Sequence, residues 1–218
     1  MSWFINTFRS SIGKKVLVGA TGILLFLYVI IHLAGNLVIY AGNEAYNRYA
    51  EILGSIPLLL VIEIALAAVF LVHIVLVVFL ALENRGARGK QRYHLFRSKR
   101  DSRSESLASR TMLLSGTVVL IFLLVHVYDF RWQMHEDTDL AYMVKSTLAE
   151  PGRALLYIVG SLLVGWHLFH GIHSAFLSLG VNHPRYSPLI EKLGFVFSFI
   201  LGLGFASIPF FIWIGVAR

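Results

Sequence analysis

Four histidines lie deep inside four different apolar stretches of the chain, and they are its strongest candidates for chemistry. They are His32, His73, His126 and His167. Imidazole exchanges protons near neutral pH and is the commonest metal ligand in proteins. A lone buried histidine is more often a hydrogen-bonded structural residue than a ligand. Four of them on four separate stretches require a joint explanation, either as metal ligands or as a proton relay.

The absence of cysteine narrows the possible metal chemistry. None of the 218 residues is cysteine, whereas nine are histidine. Disulfides, thiolate-held iron–sulfur clusters and the Cys-x-x-Cys-His attachment of c-type haem are therefore excluded. A redox metal in this chain would have to be held by imidazole.

The elements that carry the histidines are long and apolar. The chain is 57% hydrophobic and only 14% charged, against about 25% charged residues in a soluble domain. A helix needs about 20 apolar residues to cross a bilayer. We therefore predict a single all-α transmembrane domain over residues 1–218, with a kink at Pro209. The five predicted spans are Lys15–Tyr40, Pro57–Leu82, Thr111–Phe130, Arg153–Leu179 and Lys192–Val216.

The basic residues predict how these spans are oriented. Most of the 19 lysines and arginines lie before the first span, after the second and after the fourth. The positive-inside rule places that side in the cytoplasm, with the N-terminus inside and the C-terminus outside an inner membrane. Ala41–Ile56 and Arg131–Gly152 then face outside. The net charge of +7 needs no nucleic acid. The basic loop Glu83–Arg110 is either an orientation signal beside anionic lipid or a docking face for a cytoplasmic partner.

Helix rise places the four histidines at two depths. His32 and His126 lie about 23–24 Å from the inner ends of the first and third spans, so both are in the outer half. His73 and His167 lie about 22–24 Å from the outer ends of the second and fourth spans, in the inner half. Haem iron accepts two axial imidazoles on opposite faces, which helix bundles can supply. The sequence thus predicts two haem b groups enclosed by the bundle, about 16 Å apart along the membrane normal.

The fourth span offers a rival ligand. His170 lies about 4.5 Å further inward than His167 and His173 about 9 Å further, so depth favours His167. His173 and Arg110 are candidates for the propionates of the inner haem, and Arg131 or Arg153 for those of the outer haem. Contacts with lipid headgroups would explain these cations equally well.

A weak internal repeat links the first and third spans. Thr21–Gly22 precedes His32, and Ser115–Gly116 precedes His126, with the glycine ten residues before the histidine in both cases. Small residues let a flat macrocycle or another helix approach the backbone. The repeat fits two pseudo-equivalent halves of one haem clamp, although glycine is common in membrane helices for packing alone.

Taken together, the pattern resembles the five-helix, dihaem cytochrome b membrane anchor of succinate dehydrogenase and quinol:fumarate reductase. The resemblance covers about residues 8–216, and the order and spacing of the four histidines is its most specific feature. The segments that carry it are Thr21–Asn36, His73, Ser109–Tyr128, Trp166–His173 and Ser178–His183.

The resemblance implies a role within a complex. Such an anchor binds a flavoprotein subunit and an iron–sulfur subunit on the cytoplasmic side, which interconvert succinate and fumarate, and it exchanges electrons with a membrane quinone, usually menaquinone. The isolated chain would catalyse nothing on succinate. His73 and His167 match the ligands of the haem nearer the iron–sulfur subunit, and His32 and His126 those of the distal haem.

Quinone chemistry also needs a group that exchanges protons near a haem edge. The outer-side candidates are Glu44, Glu51 and Glu63, with Tyr46 as a hydrogen-bond partner. Glu63 stands out because it lies within an apolar span, whereas Glu44 and Glu51 are better interpreted as solvated loop charges. Some fumarate reductase relatives carry a glutamate two residues before the ligand on the fourth span. Gly165 occupies that position here, which puts such a proton path in doubt.

Two other functions fit parts of the pattern. A different dihaem cytochrome b with a quinone site would share the haems, but such proteins often place ligands on other helices or twice on one helix. A haem-free transporter or proton channel could use the histidines as relays and would show no Soret band.

Overall fold

The computed structural model describes residues 10–88, 103–135 and 138–216, except for the side chains of residues 85, 87, 88 and 103–110. Within these residues the chain is helical and contains no strand. A 3-10 helix, Leu37–Ala41, and a π-helix, Tyr128–Trp132, extend two of the α-helices. The α-helices are α1 (Ser11–Asn36), α2 (Asn43–Gly54), α3 (Leu59–Arg88), α4 (Arg103–Val127), α5 (Leu140–Ala149), α6 (Pro151–Ser178) and α7 (Ser187–Trp213).

Five of these helices are long and apolar enough to cross a membrane, which confirms the predicted number of spans. They are α1, α3, α4, α6 and α7. The chain is thus a multi-pass membrane protein.

Polar caps set where two of the helices begin. The Ser10 hydroxyl accepts a hydrogen bond from the Gly13 N–H at 3.0 Å, so α1 begins at Ser11. The Glu150 carboxylate caps α6, whose first residue is Pro151. Pro209 lies inside α7, and its kink stays a prediction.

Two short helices, α2 and α5, lie in the segments expected outside the membrane, and the sequence analysis did not predict them. Helices of 10–12 residues are marginal on their own, so their pattern is weak. Asn47 joins them, donating to the Asp139 carboxylate and accepting from the Ala141 N–H, both at 2.9 Å. Asp139 also accepts from the Tyr142 N–H, and these hydrogen bonds hold its pKa below the usual value.

The two halves of the chain repeat one arrangement. The order long helix, short helix, long helix occurs in α1–α2–α3 and again in α4–α5–α6, while α7 stands outside the repeat. Helix α6 packs against α1, α4 and α7, and α3 packs against α1. Helix α6 therefore forms much of the contact between the two halves.

Small residues allow α6 and α7 to approach closely. A Cβ built on Gly165 would lie 2.9 Å from the Ser198 carbonyl oxygen and 3.0 Å from the Gly202 Cα. Both atoms belong to the backbone of α7 and cannot rotate away. Such close approach is typical of membrane helix pairs, in which packing replaces the hydrophobic effect.

We predict that Gly165→Ala destabilises the protein by about 1–3 kcal/mol, because overpacking must separate the two backbones. Gly171→Ala is the matched control: it lies in the same helix, and a Cβ added there would have no other atom within 4 Å. At that position the better helix propensity of alanine should leave stability unchanged or raise it by up to about 1 kcal/mol. Thermal unfolding in detergent measures both. Equal effects of the two substitutions would contradict the packing argument.

Candidate functional site

His73 on α3 and His167 on α6 are the histidines predicted for the inner half of the membrane and are called the inner histidines. His32 and His126, predicted for the outer half, are called the outer histidines. The Nδ1 atom of His73 lies 3.0 Å from the Thr21 hydroxyl oxygen, and that of His167 lies 3.1 Å from the Ser115 hydroxyl oxygen. In both cases hydroxyl and imidazole are 52 residues apart in the chain. His73 and His167 are close enough to interact electrostatically. Each inner imidazole is thus held by a hydroxyl from the preceding long helix of its own half.

The glycines after those hydroxyl residues contact the same imidazoles. A Cβ on Gly22 would lie 3.4 Å from the His73 Cε1, and one on Gly116 would lie 3.2 Å from the His167 Cε1. In the sequence, these glycines each lie ten residues before an outer histidine, His32 or His126. In the folded chain they contact the inner histidines, because neighbouring antiparallel helices bring distant positions to the same level.

The outer histidines, on α1 and α4, face each other directly. The ring centroids of His32 and His126 are 5.7 Å apart, with the ring planes at 88°. Aromatic rings surround the pair. Tyr28 stacks on His32 at 5.4 Å, and Phe130 meets His126 edge-on at 5.4 Å. Phe205 of α7 lies 5.6 Å from His32.

These arrangements fit haem in their donor chemistry. The histidines meet in pairs from different helices, and haem iron takes two axial ligands, whereas a structural zinc site takes four. The surroundings are apolar or aromatic, and the glycines leave space beside the imidazoles: a Cβ on Gly116 would crowd His167 at 3.2 Å, and one on Gly22 would be in contact with His73 at 3.4 Å. The residues that would hold one group are His73 and His167, and those for the second are His32 and His126.

His170, the rival of His167, has a different environment. Its ring lies against Trp166 at 5.0 Å and Phe169 at 4.4 Å. Its Nε2 atom is buried and has no hydrogen-bond partner among the described residues. It is His167 that contacts the Ser115 hydroxyl. His173, further along α6, is half-buried.

A hydrogen-bonded cluster around the buried Asp129 lies beside His126 and was not predicted from the sequence. Asp129, only 3% exposed, accepts hydrogen bonds from Arg153 Nη1 at 2.7 Å and from the Tyr157 hydroxyl at 2.9 Å. The Tyr157 ring lies 6.0 Å from that of His126. An aspartate within a predicted span was the signal that could have revealed the cluster. Arg153, considered above for a propionate, is paired with Asp129.

The three candidate glutamates for proton exchange lie in different environments. Glu44 is exposed, and Glu51 is 69% exposed and paired with Arg48 on its own helix at 2.7 Å. Glu63 is half-buried and paired with Arg131 at 3.0 Å, and it interacts electrostatically with Tyr28. Glu63 is thus the glutamate nearest to the residues around His32.

Tyr46 connects α2 to the same region. Its hydroxyl donates to the Asn36 side-chain oxygen at 3.4 Å, and Asn36 Nδ2 donates to the His32 carbonyl oxygen at 2.8 Å. Burial and the nearby Tyr49 raise the pKa of Tyr46. Near the N-terminal end of α1, Lys14 forms an ion pair with Glu83 of α3. The Arg110 side chain and most of the basic loop, residues 89–102, lie outside the described part of the structure.

The comparisons with known proteins agree with the sequence resemblance. The chain is 26% identical over 186 residues to the succinate dehydrogenase cytochrome b558 subunit of Bacillus subtilis (strain 168), a match that covers 81% of this chain and 86% of that protein. This similarity and the five apolar helices confirm the resemblance to the cytochrome b anchors. No family model and no solved structure matches the chain.

The cluster around Asp129 generates a stability prediction. Tyr157→Phe should cost about 1–2 kcal/mol, because one hydrogen bond to a charged group is lost. Asp129→Asn should cost more, about 3 kcal/mol, because it leaves the partly buried Arg153 without its counter-charge. Thermal unfolding in detergent measures both. Tyr142→Phe is the control, since Tyr142 is 70% exposed, and a loss as large as that of Tyr157→Phe would contradict the assignment.

Proposed function

We propose that this protein is the cytochrome b membrane anchor of a succinate dehydrogenase or quinol:fumarate reductase complex. It carries electrons through two bis-histidine haem b groups, between an iron–sulfur subunit and a membrane quinone such as menaquinone. The observation that carries the proposal is the arrangement of the four histidines in two pairs from different helices: His32 and His126 have ring centroids 5.7 Å apart, and His73 lies within electrostatic range of His167. Similarity to a succinate dehydrogenase cytochrome b558 subunit supports it.

The protein residues would position each redox group and keep water away from it. Bound haem supplies one-electron chemistry, with a potential set by its ligands and their surroundings. His73 and His167 are the proposed ligands of the inner haem, and His32 and His126 those of the outer haem. The aromatic rings of Tyr28, Phe130 and Phe205 around the outer pair would exclude water there.

The positive-inside rule sets the proposed orientation of the chain in the membrane. The inner pair then lies towards the cytoplasm, where the flavoprotein and iron–sulfur subunits would dock beside the basic loop Glu83–Arg110. The candidate propionate residues of the inner haem, Arg110 and His173, belong to this side. The outer pair lies towards the opposite surface and would exchange electrons with quinone.

Glu63 is the proposed proton-exchanging group of the quinone site. It lies within a membrane span, and its carboxylate is held by Arg131 at 3.0 Å. It interacts with Tyr28, whose ring stacks on His32. Tyr46 could hydrogen-bond a quinone oxygen from α2. Exposure makes Glu44 and Glu51 weaker candidates.

Substitution of the ligands tests the haem assignment. Replacing His32, His73, His126 or His167 singly by leucine should remove one of two low-spin haems, because iron loses an axial ligand. His170→Leu is the matched control and should retain both. Haem content and electron paramagnetic resonance of the assembled complex measure this. Full low-spin haem in every ligand variant would refute the proposal.

A substitution at Glu63 tests the quinone site. Glu63→Gln should lower quinone-linked turnover by about 100-fold or more, because a positioned acid–base group contributes about 10²–10⁴-fold. Haem content should stay unchanged. Glu51→Gln, which alters an exposed carboxylate of the same outer face, should turn over normally. Normal turnover in Glu63→Gln would place proton exchange elsewhere.

A further inference from the structure

We propose that Thr21 and Ser115 are positioning residues for the inner haem. Their hydroxyl oxygens accept hydrogen bonds from the Nδ1–H groups of His73 and His167, and these hydrogen bonds lower the reduction potential of that haem. The inference rests on the proposed function, since it assigns a role towards a haem held by these histidines. It goes further by naming the groups that fix the tautomer and basicity of the ligands.

The direction of the hydrogen bonds follows from the number of protons on each hydroxyl. The Thr21 hydroxyl lies 2.8 Å from the Leu17 carbonyl oxygen, and the Ser115 hydroxyl lies 3.1 Å from that of Met112. A hydroxyl has one proton to donate and two lone pairs to accept with. Because each hydroxyl donates its proton to a backbone carbonyl, its oxygen can only accept a hydrogen bond from the imidazole.

The imidazole tautomer is fixed as a consequence. Because Nδ1 donates to the hydroxyl, a neutral imidazole carries its free lone pair on Nε2. That is the atom left to bind iron. A ligand histidine whose other nitrogen donates a hydrogen bond is oriented by it and made more basic. A more basic ligand stabilises ferric iron over ferrous iron and so lowers the reduction potential.

The arrangement occurs twice, which argues against coincidence. Both hydroxyl residues are buried, at 9% exposure for Thr21 and 6% for Ser115. Each is followed by a glycine against which the Cε1 of the same imidazole is seated. The hydroxyl and the glycine together fix both the position and the rotation of each ring. Threonine in one half and serine in the other share only the hydroxyl group that the role requires.

The outer histidines have different neighbours. The polar atom nearest to the His32 ring is Asn36 Nδ2, at 3.4 Å from Nδ1, and an amide nitrogen is a donor that cannot accept the imidazole proton. The same amide donates to the His32 carbonyl oxygen at 2.8 Å. The described contacts of the His126 ring are with aromatic rings. Removing the two hydroxyls should therefore affect only the inner haem.

The two sites also differ in how much their hydroxyl should matter. The Val18 carbonyl lies close enough to His73 to accept a hydrogen bond from it, beside the Thr21 hydroxyl. It can take over part of the role when Thr21 is replaced. No such second acceptor is seen beside His167 among the described contacts, so the loss of the Ser115 hydroxyl should have the larger effect.

The test is a redox titration of both haems in the purified, assembled complex. Ser115→Ala and Thr21→Val should raise the midpoint potential of one haem and leave the other unchanged, with the larger shift in Ser115→Ala. Loss of an outer-shell contact typically changes metal affinity about tenfold or more. A tenfold change in the ratio of the ferric to the ferrous binding constant corresponds to a shift of about 59 mV for a one-electron couple.

Two control variants separate the hydroxyl contact from general packing. Thr21→Ser keeps the hydroxyl and should retain the native potential. Thr117→Val removes an exposed hydroxyl from α4. In the described contacts this hydroxyl donates only to the Leu113 carbonyl oxygen, at 2.8 Å. The substitution should leave the midpoint potentials of both haems unchanged. Selective loss of the inner haem in Thr21→Val, restored in Thr21→Ser, would also support the inference.

Native potentials in both Ser115→Ala and Thr21→Val, with both haems present, would overturn the inference and leave the proposed function intact. Equal shifts in Thr21→Val and Thr21→Ser would also overturn it. A wild-type complex without low-spin haem would instead refute the proposed function itself.

Discussion

A buried polar side chain in an apolar bundle must find its partner within the protein, and this constraint determines how the helices of this chain are rotated. Each inner histidine turns towards a hydroxyl on the neighbouring helix, at 3.0 Å for His73 and 3.1 Å for His167. The outer histidines turn towards each other. The hydrocarbon layer contains no water that could hydrogen-bond such groups. Rotation of a helix would therefore leave the inner imidazoles without a hydrogen-bond partner. The hydroxyl contacts satisfy Nδ1 of the inner imidazoles, whereas the described contacts of the His126 ring are with aromatic rings.

Helix α6 takes part in several of the contacts that hold the bundle together. It carries His167, it packs on α1 and α4, and its Gly165 lies against the backbone of α7. At its outer end Tyr157 and Arg153 bind Asp129 of the π-helix that extends α4. A π-helical turn widens the helix locally and often occurs at functional sites. Here it directs a carboxylate inward beside His126, where the two halves of the bundle are joined.

The two halves resemble each other more at their inner than at their outer ends. At the inner level both provide a hydroxyl, a glycine and a histidine in the same relation. Around His32 and His126 they differ: the Glu63–Arg131 ion pair joins the first half to the second, whereas Asp129, Arg153 and Tyr157 all belong to the second half. An electron-transfer clamp can be symmetric because it only holds a flat group from two faces. The proposed quinone site would need an asymmetric arrangement of proton donors and acceptors, and these two groups of residues are arranged asymmetrically.

The number of spans could be predicted from the sequence alone, because hydropathy depends only on order along the chain. The two depths of the histidines follow from helix rise in the same way and stay a prediction. The sequence could not determine which groups face each histidine. The Thr21 and Ser115 hydroxyls are 52 residues from their imidazoles, and contacts over that distance depend on helix rotation and packing. The short helices α2 and α5 and the burial of Asp129 were likewise decided by tertiary structure, since weak local patterns acquire their conformation from the neighbours they pack against.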